Sequence, residues 1–171
     1  HIVYSDNINI KDSSFNNSFA DSIDIDISNN INLSNLKITN SKNDGIDFME
    51  STANLKNVIV EKSGDKGLSV GENSKITVTD SFISNNKYGI VSKDNSIVNV
   101  INSEIVNNKI QLSVYKKNWR YGNSGKINIK NIKLNKNQNI FEKDKNGQIN
   151  FISKNIYQNT KINEINEFSL N

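Results

Sequence analysis

A column of apolar residues returns through this chain at an almost constant interval. It runs Ile8, Ile31, Ala53, Ile76, Val98, Ile127 and Ile149. Two positions later a second column runs Ile10, Leu33, Leu55, Val78, Val100, Ile129 and Phe151. The steps in both are 23, 22, 23, 22, 29 and 22 residues. A fixed period of this size means that each repeat is one supersecondary unit, which buries its apolar residues against the repeats above and below.

Inside each repeat apolar and polar residues alternate, as in Ile31-Asn32-Leu33 and Ile76-Thr77-Val78. Alternation with period two predicts strands with one buried face. A third apolar column follows five positions after the second: Phe15, Ile38, Val60, Ile83, Ile105, Leu134 and Ile156. A further strand is predicted at Ile23-Asp24-Ile25, Ile46-Asp47-Phe48, Leu68-Ser69-Val70, Ile90-Val91-Ser92 and Leu112-Ser113-Val114. Three short strands per turn predict an all-β parallel β-helix of about seven turns of 22–23 residues. The whole of 1–171 reads as one such domain, cut from a longer chain, with a loop insert near 115–125 and a C-terminal tail from about 159. Neither end carries an obvious cap, so flanking domains or other chains are expected to cover the exposed strand edges.

Between the second and third columns lie Asp12, Asn35, Asn57, Asp80, Asn102, Asn131 and Ser153. Asn and Asp tolerate left-handed backbone, so this column predicts a tight bend repeated turn after turn. Stacked amides predict a ladder of side-chain hydrogen bonds. On that reading Asn57→Ala is expected to cost more than its size suggests, by stranding neighbouring amides.

These features resemble the right-handed parallel β-helices of the pectate-lyase-like superfamily, over about Ile8 to Ile156. Right-handedness comes from that resemblance and from the crossover rule for parallel strands. Three stretches, Asn43 to Phe48, Ser63 to Glu72 and Tyr115 to Gly122, are similar to β-helix regions found beside CotH-like kinase domains in bacterial surface proteins. That likeness implies an extracellular or cell-surface setting. The chain carries no kinase motif.

Composition narrows the chemistry. Lys and Arg total 21 against 18 acids, for a net charge of +3. The charges are interleaved, which argues against a nucleic-acid partner. No run of 18 apolar residues exists, so membrane insertion is not expected. With no cysteine and one histidine at position 1, neither a thiolate metal site nor a Ser-His-Asp triad is expected. Gly45, Gly67 and Gly89 align in one column and are expected to punctuate turns.

Two places are candidates for function. The first is an acidic face. Asp21 and Asp44 share one column, Asp24 and Asp47 another, and Glu50, Glu72 and Asp94 follow at the next bend. Carboxylates on adjacent turns repel unless something neutralises them. Hard oxygen ligands suit calcium, and in the resembled lyases such carboxylates hold calcium that bridges to an acidic sugar. The other reading is a solvated face neutralised by Lys66 and Lys93. The second candidate is the insert behind the 29-residue step. It includes Lys116, Lys117, Trp119, Arg120 and Tyr121, with the only Trp and the only Arg of the chain. Aromatic rings stack on sugars, and Arg clamps carboxylate or sulfate. The other reading makes Trp119 a local lid over apolar surface.

The expected function is a non-catalytic structural or adhesive segment of a bacterial surface or secreted protein, with a polysaccharide or glycan as ligand. The alternative is a calcium-dependent lyase, epimerase or hydrolase acting on an acidic polysaccharide.

Overall fold

A computed structural model describes residues 1–135, 140–152 and 161–164. The Ser153 and Ile156 positions of the two columns lie outside the described residues, as does most of the expected tail.

Every pairing between strands is parallel. Two sheets run along the rod. The first stacks Ile2–Val3, Ile23–Asp26, Ile46–Met49, Lys66–Gly71, Tyr88–Lys93, Ile110–Tyr115, Ile140–Lys143 and Lys161–Glu164. The last of these carries the sheet into the stretch expected as a tail. In the second sheet the early turns contribute one long bent strand each: Asn9–Asn16, Ile31–Thr39 and Thr52–Glu61. Later turns split it in two, as at Lys75–Thr79 and Phe82–Ser84.

The register follows the sequence columns. Ile31 pairs with Ala53, Ala53 with Ile76, Ile76 with Val98, and Val98 with Ile127 across the 29-residue step. Leu33, Leu55, Val78, Val100 and Ile129 stack beside them, fully or almost fully buried. Ile38, Val60, Ile83, Ile105 and Leu134 close the third side of the core. Burying each such side chain contributes roughly 1.5–3 kcal/mol before conformational entropy is subtracted.

The bends fall where the Asn column placed them. Asp12, Asn35, Asn57, Asp80, Asn102 and Asn131 all have φ between 49° and 54°. The other two corners are also left-handed, at Asn17, Asn40, Lys62, Asn85 and Asn107, and at Tyr4, Ile27, Glu50, Glu72 and Asp94. At many of these corners the residue after the left-handed one turns inward. Ser28 and Ser51 follow Ile27 and Glu50; Ser81 and Ser103 follow Asp80 and Asn102; Asn86 and Asn108 follow Asn85 and Asn107. All are buried.

These inward residues hold the corners. Ser28 Oγ accepts from Ser5 N–H at 3.0 Å, Ser51 Oγ from Ser28, Ser74 Oγ from Ser51, and Ser96 Oγ from Ser74. The Asn column does form a ladder: Asn35 Nδ2 donates to Asp12 at 2.8 Å, Asn57 to Asn35 at 2.9 Å, and Asn131 to Asn102 at 3.3 Å. Its rungs are solvent-exposed. Asn57→Ala therefore strands neighbouring amides where water can reach them, which lowers the cost expected from the lost hydrogen bonds. Gly67 also differs from expectation. Its φ is ordinary, and a Cβ there would lie 2.7 Å from Asn86 Nδ2 and from Ile83 Cγ2, so close approach is what requires glycine.

Candidate functional site

The insert leaves the first sheet after Tyr115 and joins the second at Lys126. Tyr115 itself is strand, so the irregular segment is shorter than expected by one residue. A single 3₁₀ turn, Trp119–Tyr121, is capped by Asn118, whose side-chain oxygen accepts from Arg120 N–H. Such turns are short because their hydrogen-bond geometry is poor. This one is held from outside, by carboxylates of other turns. Asp94 Oδ1 accepts from Lys117 N–H at 2.7 Å and Asn118 N–H at 2.6 Å. Asp144 Oδ2 accepts from Lys116 N–H at 2.8 Å and Ser124 Oγ at 2.6 Å. Tyr121 Oη donates to Glu50 Oε1 at 2.9 Å, 71 positions away in sequence. The loop therefore runs back along one corner of the rod, over the Glu50, Glu72 and Asp94 column.

The aromatic of the loop that faces solvent is Trp119, which is 74% exposed. The lid expected of Trp119 is not formed; Tyr121 makes the fold-back contact. Arg120 places its guanidinium carbon 5.8 Å from the Trp119 ring centroid, within cation–π range. Lys116 is half-buried and Lys117 exposed. Asp144, which the sequence reading overlooked, carried a usable signal. Asp144-Lys145-Asn146-Gly147 is an Asx-turn pattern, and Asp144 Oδ1 accepts from Asn146 and Gly147 N–H.

The acidic face separates into two kinds of carboxylate. Asp21 and Asp44 are structural: Asp21 Oδ1 accepts from Asp44 N–H and Asn43 Nδ2, and Asp44 accepts from Lys66 N–H with the Lys66 ammonium 3.4 Å away. Burial still raises the Asp44 pKa. Burial works against the Lys66 charge too, but the hydrogen bond from Asp65 and the charges of Asp44 and Asp65 raise its pKa well above that of a free lysine. Asp24 and Asp47 pair across adjacent strands. Burial, and then the charges of Asp26, Asp47 and Asp21, raise the Asp24 pKa. Glu72 is raised by burial, with Lys93 opposing and Asp94 and Asp47 reinforcing. Lys93 is buried, lies over Gly71 and donates to Ser69 Oγ at 3.1 Å.

Among the described residues one set of three ligand atoms converges within 4.8 Å, from His1, Asp24 and Asp26. His1 Nε2 lies 2.8 Å from Asp26 and 3.6 Å from Asp24. From the sequence, a lone histidine at position 1 predicts no histidine-based metal site. Asp21, Asp44, Asp47, Glu50 and Glu72 join no such set. One imidazole and two carboxylates supply fewer hard oxygens than calcium takes, so the arrangement does not fit the calcium site implied by the resemblance. No helix among the described residues is long and apolar enough to cross a membrane.

With the parallel stack and its corners in place, comparison with protein families decides the lineage. The family described as "right handed beta helix region" matches residues 1–124. The chain belongs to that family. The match covers the regular turns of this right-handed β-helix and ends inside the insert, just before the strand Lys126–Lys130. No curated protein matches the sequence.

Proposed function

We propose that this β-helix is a non-catalytic adhesive segment that displays a carbohydrate-stacking platform on the side of a rigid rod. The observation that carries this is Trp119. A large aromatic side chain, 74% exposed, sits beside Arg120 on a loop fixed by carboxylates from three other turns. Exposing an indole to water has a cost, and fixing its backbone in advance removes part of the ordering cost of binding. A flat ring beside a guanidinium suits the apolar face of a sugar and its polar rim. A surface or secreted setting accords with this reading, as do flanking domains or partner chains at the ends of the rod.

Two groups near the acidic face bear on the alternative of polysaccharide cleavage or epimerisation. A lyase base has to give up its proton near neutral pH. Tyr115 is pushed up to about 12, chiefly by burial, and Lys66 is held protonated by Asp65 and Asp44. Neither suits that task. Binding measured by calorimetry against glycans found on a glycan array tests the proposal. Trp119→Ala should abolish the heat without moving the thermal melt, and chelation of calcium should leave it unchanged. Release of unsaturated product from a uronate polymer, lost in Asp47→Ala, would instead support the enzymatic alternative.

A further inference from the structure

The far end of the same loop helps to form a recess. Asn123, Ser124 and Gly125 cross the corner between the turn below, at Asn95 to Ile97, and the turn above, at Lys145 to Gln148. The recess between them has a volume of about 520 Å³, within the range of small-ligand sites. Its geometry follows from the insert. Asn123 carbonyl accepts from Asn95 N–H at 2.8 Å, which pins the returning chain to the turn below. Gly125 then passes so close to Ser92 that a Cβ would lie 2.3 Å from its carbonyl, and only glycine fits.

The lining is mostly polar, with Ile97 its one apolar side chain and Lys126 and Lys145 its two lysines. Neither lysine has an ion pair among the described residues. The nearby carboxylate, Asp144, is fully engaged, with two donors on each oxygen. Those donors are neutral, so Asp144 keeps its charge beside the recess; the lining itself carries two lysines and no acid. A second corner recess, of about 340 Å³, lies lower on the rod and holds Glu50 beside Lys75, so its charges offset each other.

We propose that the Lys126–Lys145 recess is an anion subsite for the glycan, taking a carboxylate or sulfate ester on a sugar residue. The inference rests on the reading of the loop as a glycan platform and adds a charge class to it. Trp119 supplies stacking that any sugar can use; the recess supplies the preference for anionic ones.

Calorimetry on the intact chain separates the two ideas, using a uronate oligosaccharide, a sulfated oligosaccharide and a neutral one of equal length. The anionic probes should bind at least about tenfold more tightly than the neutral one, and the difference should shrink as salt rises. A Lys126→Gln, Lys145→Gln double variant should erase the difference and leave the thermal melt in place. Preference for one anionic probe identifies carboxylate or sulfate as the source. Equal binding of all three probes, or an anionic preference that survives the double variant, overturns the anion subsite while Trp119-dependent binding stands. Binding of no probe overturns the platform reading itself.

Discussion

Two hydrogen-bonded columns climb this rod, and they carry different loads. The Asn column at one corner lies in water. The Ser column at another lies inside, with Ser28, Ser51, Ser74 and Ser96 all essentially inaccessible. Both repeat every 22 or 23 residues, apart from the 29-residue step that the Asn column crosses between Asn102 and Asn131. In the exposed column the side chain's main service is to its own backbone, because Asn and Asp tolerate φ near 50°. In the buried column the hydroxyl serves the turn before it in sequence by accepting a backbone N–H that would otherwise be buried without a partner. A repeat makes both columns visible, but burial decides which one is costly to lose.

Ser74→Ala is the sharpest way to break this contrast. It orphans Ser51 N–H, and an unsatisfied buried donor costs about 1–3 kcal/mol. Urea denaturation should show a loss in that range with an unchanged slope. A neutral result would mean that the corner relaxes and that the buried column is ornamental. Asn57→Ala should cost about 1–2 kcal/mol, the strain of a left-handed non-glycine residue. Asn57→Gly, which restores conformational freedom but not the amide, should recover most of that loss. If Gly is as damaging as Ala, the exposed ladder matters more than its solvation suggests. Ile27→Asn tests the same account in reverse. Ile27 is β-branched and sits at φ 47°, where such residues are outliers. The substitution should stabilise the rod by about 1 kcal/mol, read as a rise in melting temperature.

The stack, its register and one of its bends were legible because each depends on a pattern that recurs. Leu33 over Leu55 over Val78 repeats often enough to stand out in a single sequence. The serine column repeats just as faithfully, but serine is so ordinary in an Asn-rich polar chain that periodicity alone gives no reason to look inward. That reason is the left-handed residue before it, which only the backbone shows. The site was less legible for a similar cause. The insert announced itself through the 29-residue step, and Trp119 and Arg120 through their rarity. What the loop rests on did not. Glu50 and Tyr121 are 71 positions apart, and no period links them. Asp144 is one aspartate among many until its four donors are seen. The acidic columns were read correctly as columns. Which of their carboxylates are consumed by backbone N–H groups depends on side-chain direction, and spacing does not encode that.

pH offers the gentlest separation of the two kinds of contact. No serine titrates, so the cost of Ser74→Ala should be equal at pH 7 and pH 5. The parent should still move as its carboxylates take up protons. Asp24, Asp26, Asp44 and Glu72 all have raised pKa values, with burial the first cause. A carboxyl whose pKa is higher in the folded state than in the unfolded chain binds protons more readily when folded. Its charged form costs stability at neutral pH, and the cost is relieved as pH falls through the folded value. Asp65 runs the other way. Burial raises its pKa, but the hydrogen bonds and charges of Lys66 and Lys87 outweigh that and lower it. Its contribution is present above the unfolded pKa and is lost on acidification below the ordinary aspartate value of 3.8. The melting temperature should therefore rise modestly as pH falls from neutral toward the ordinary carboxylate range, and fall again below about pH 4. A steady decline from pH 7 downward would mean that the acidic face is neutralised in the folded state by partners stronger than Lys66 and Lys93.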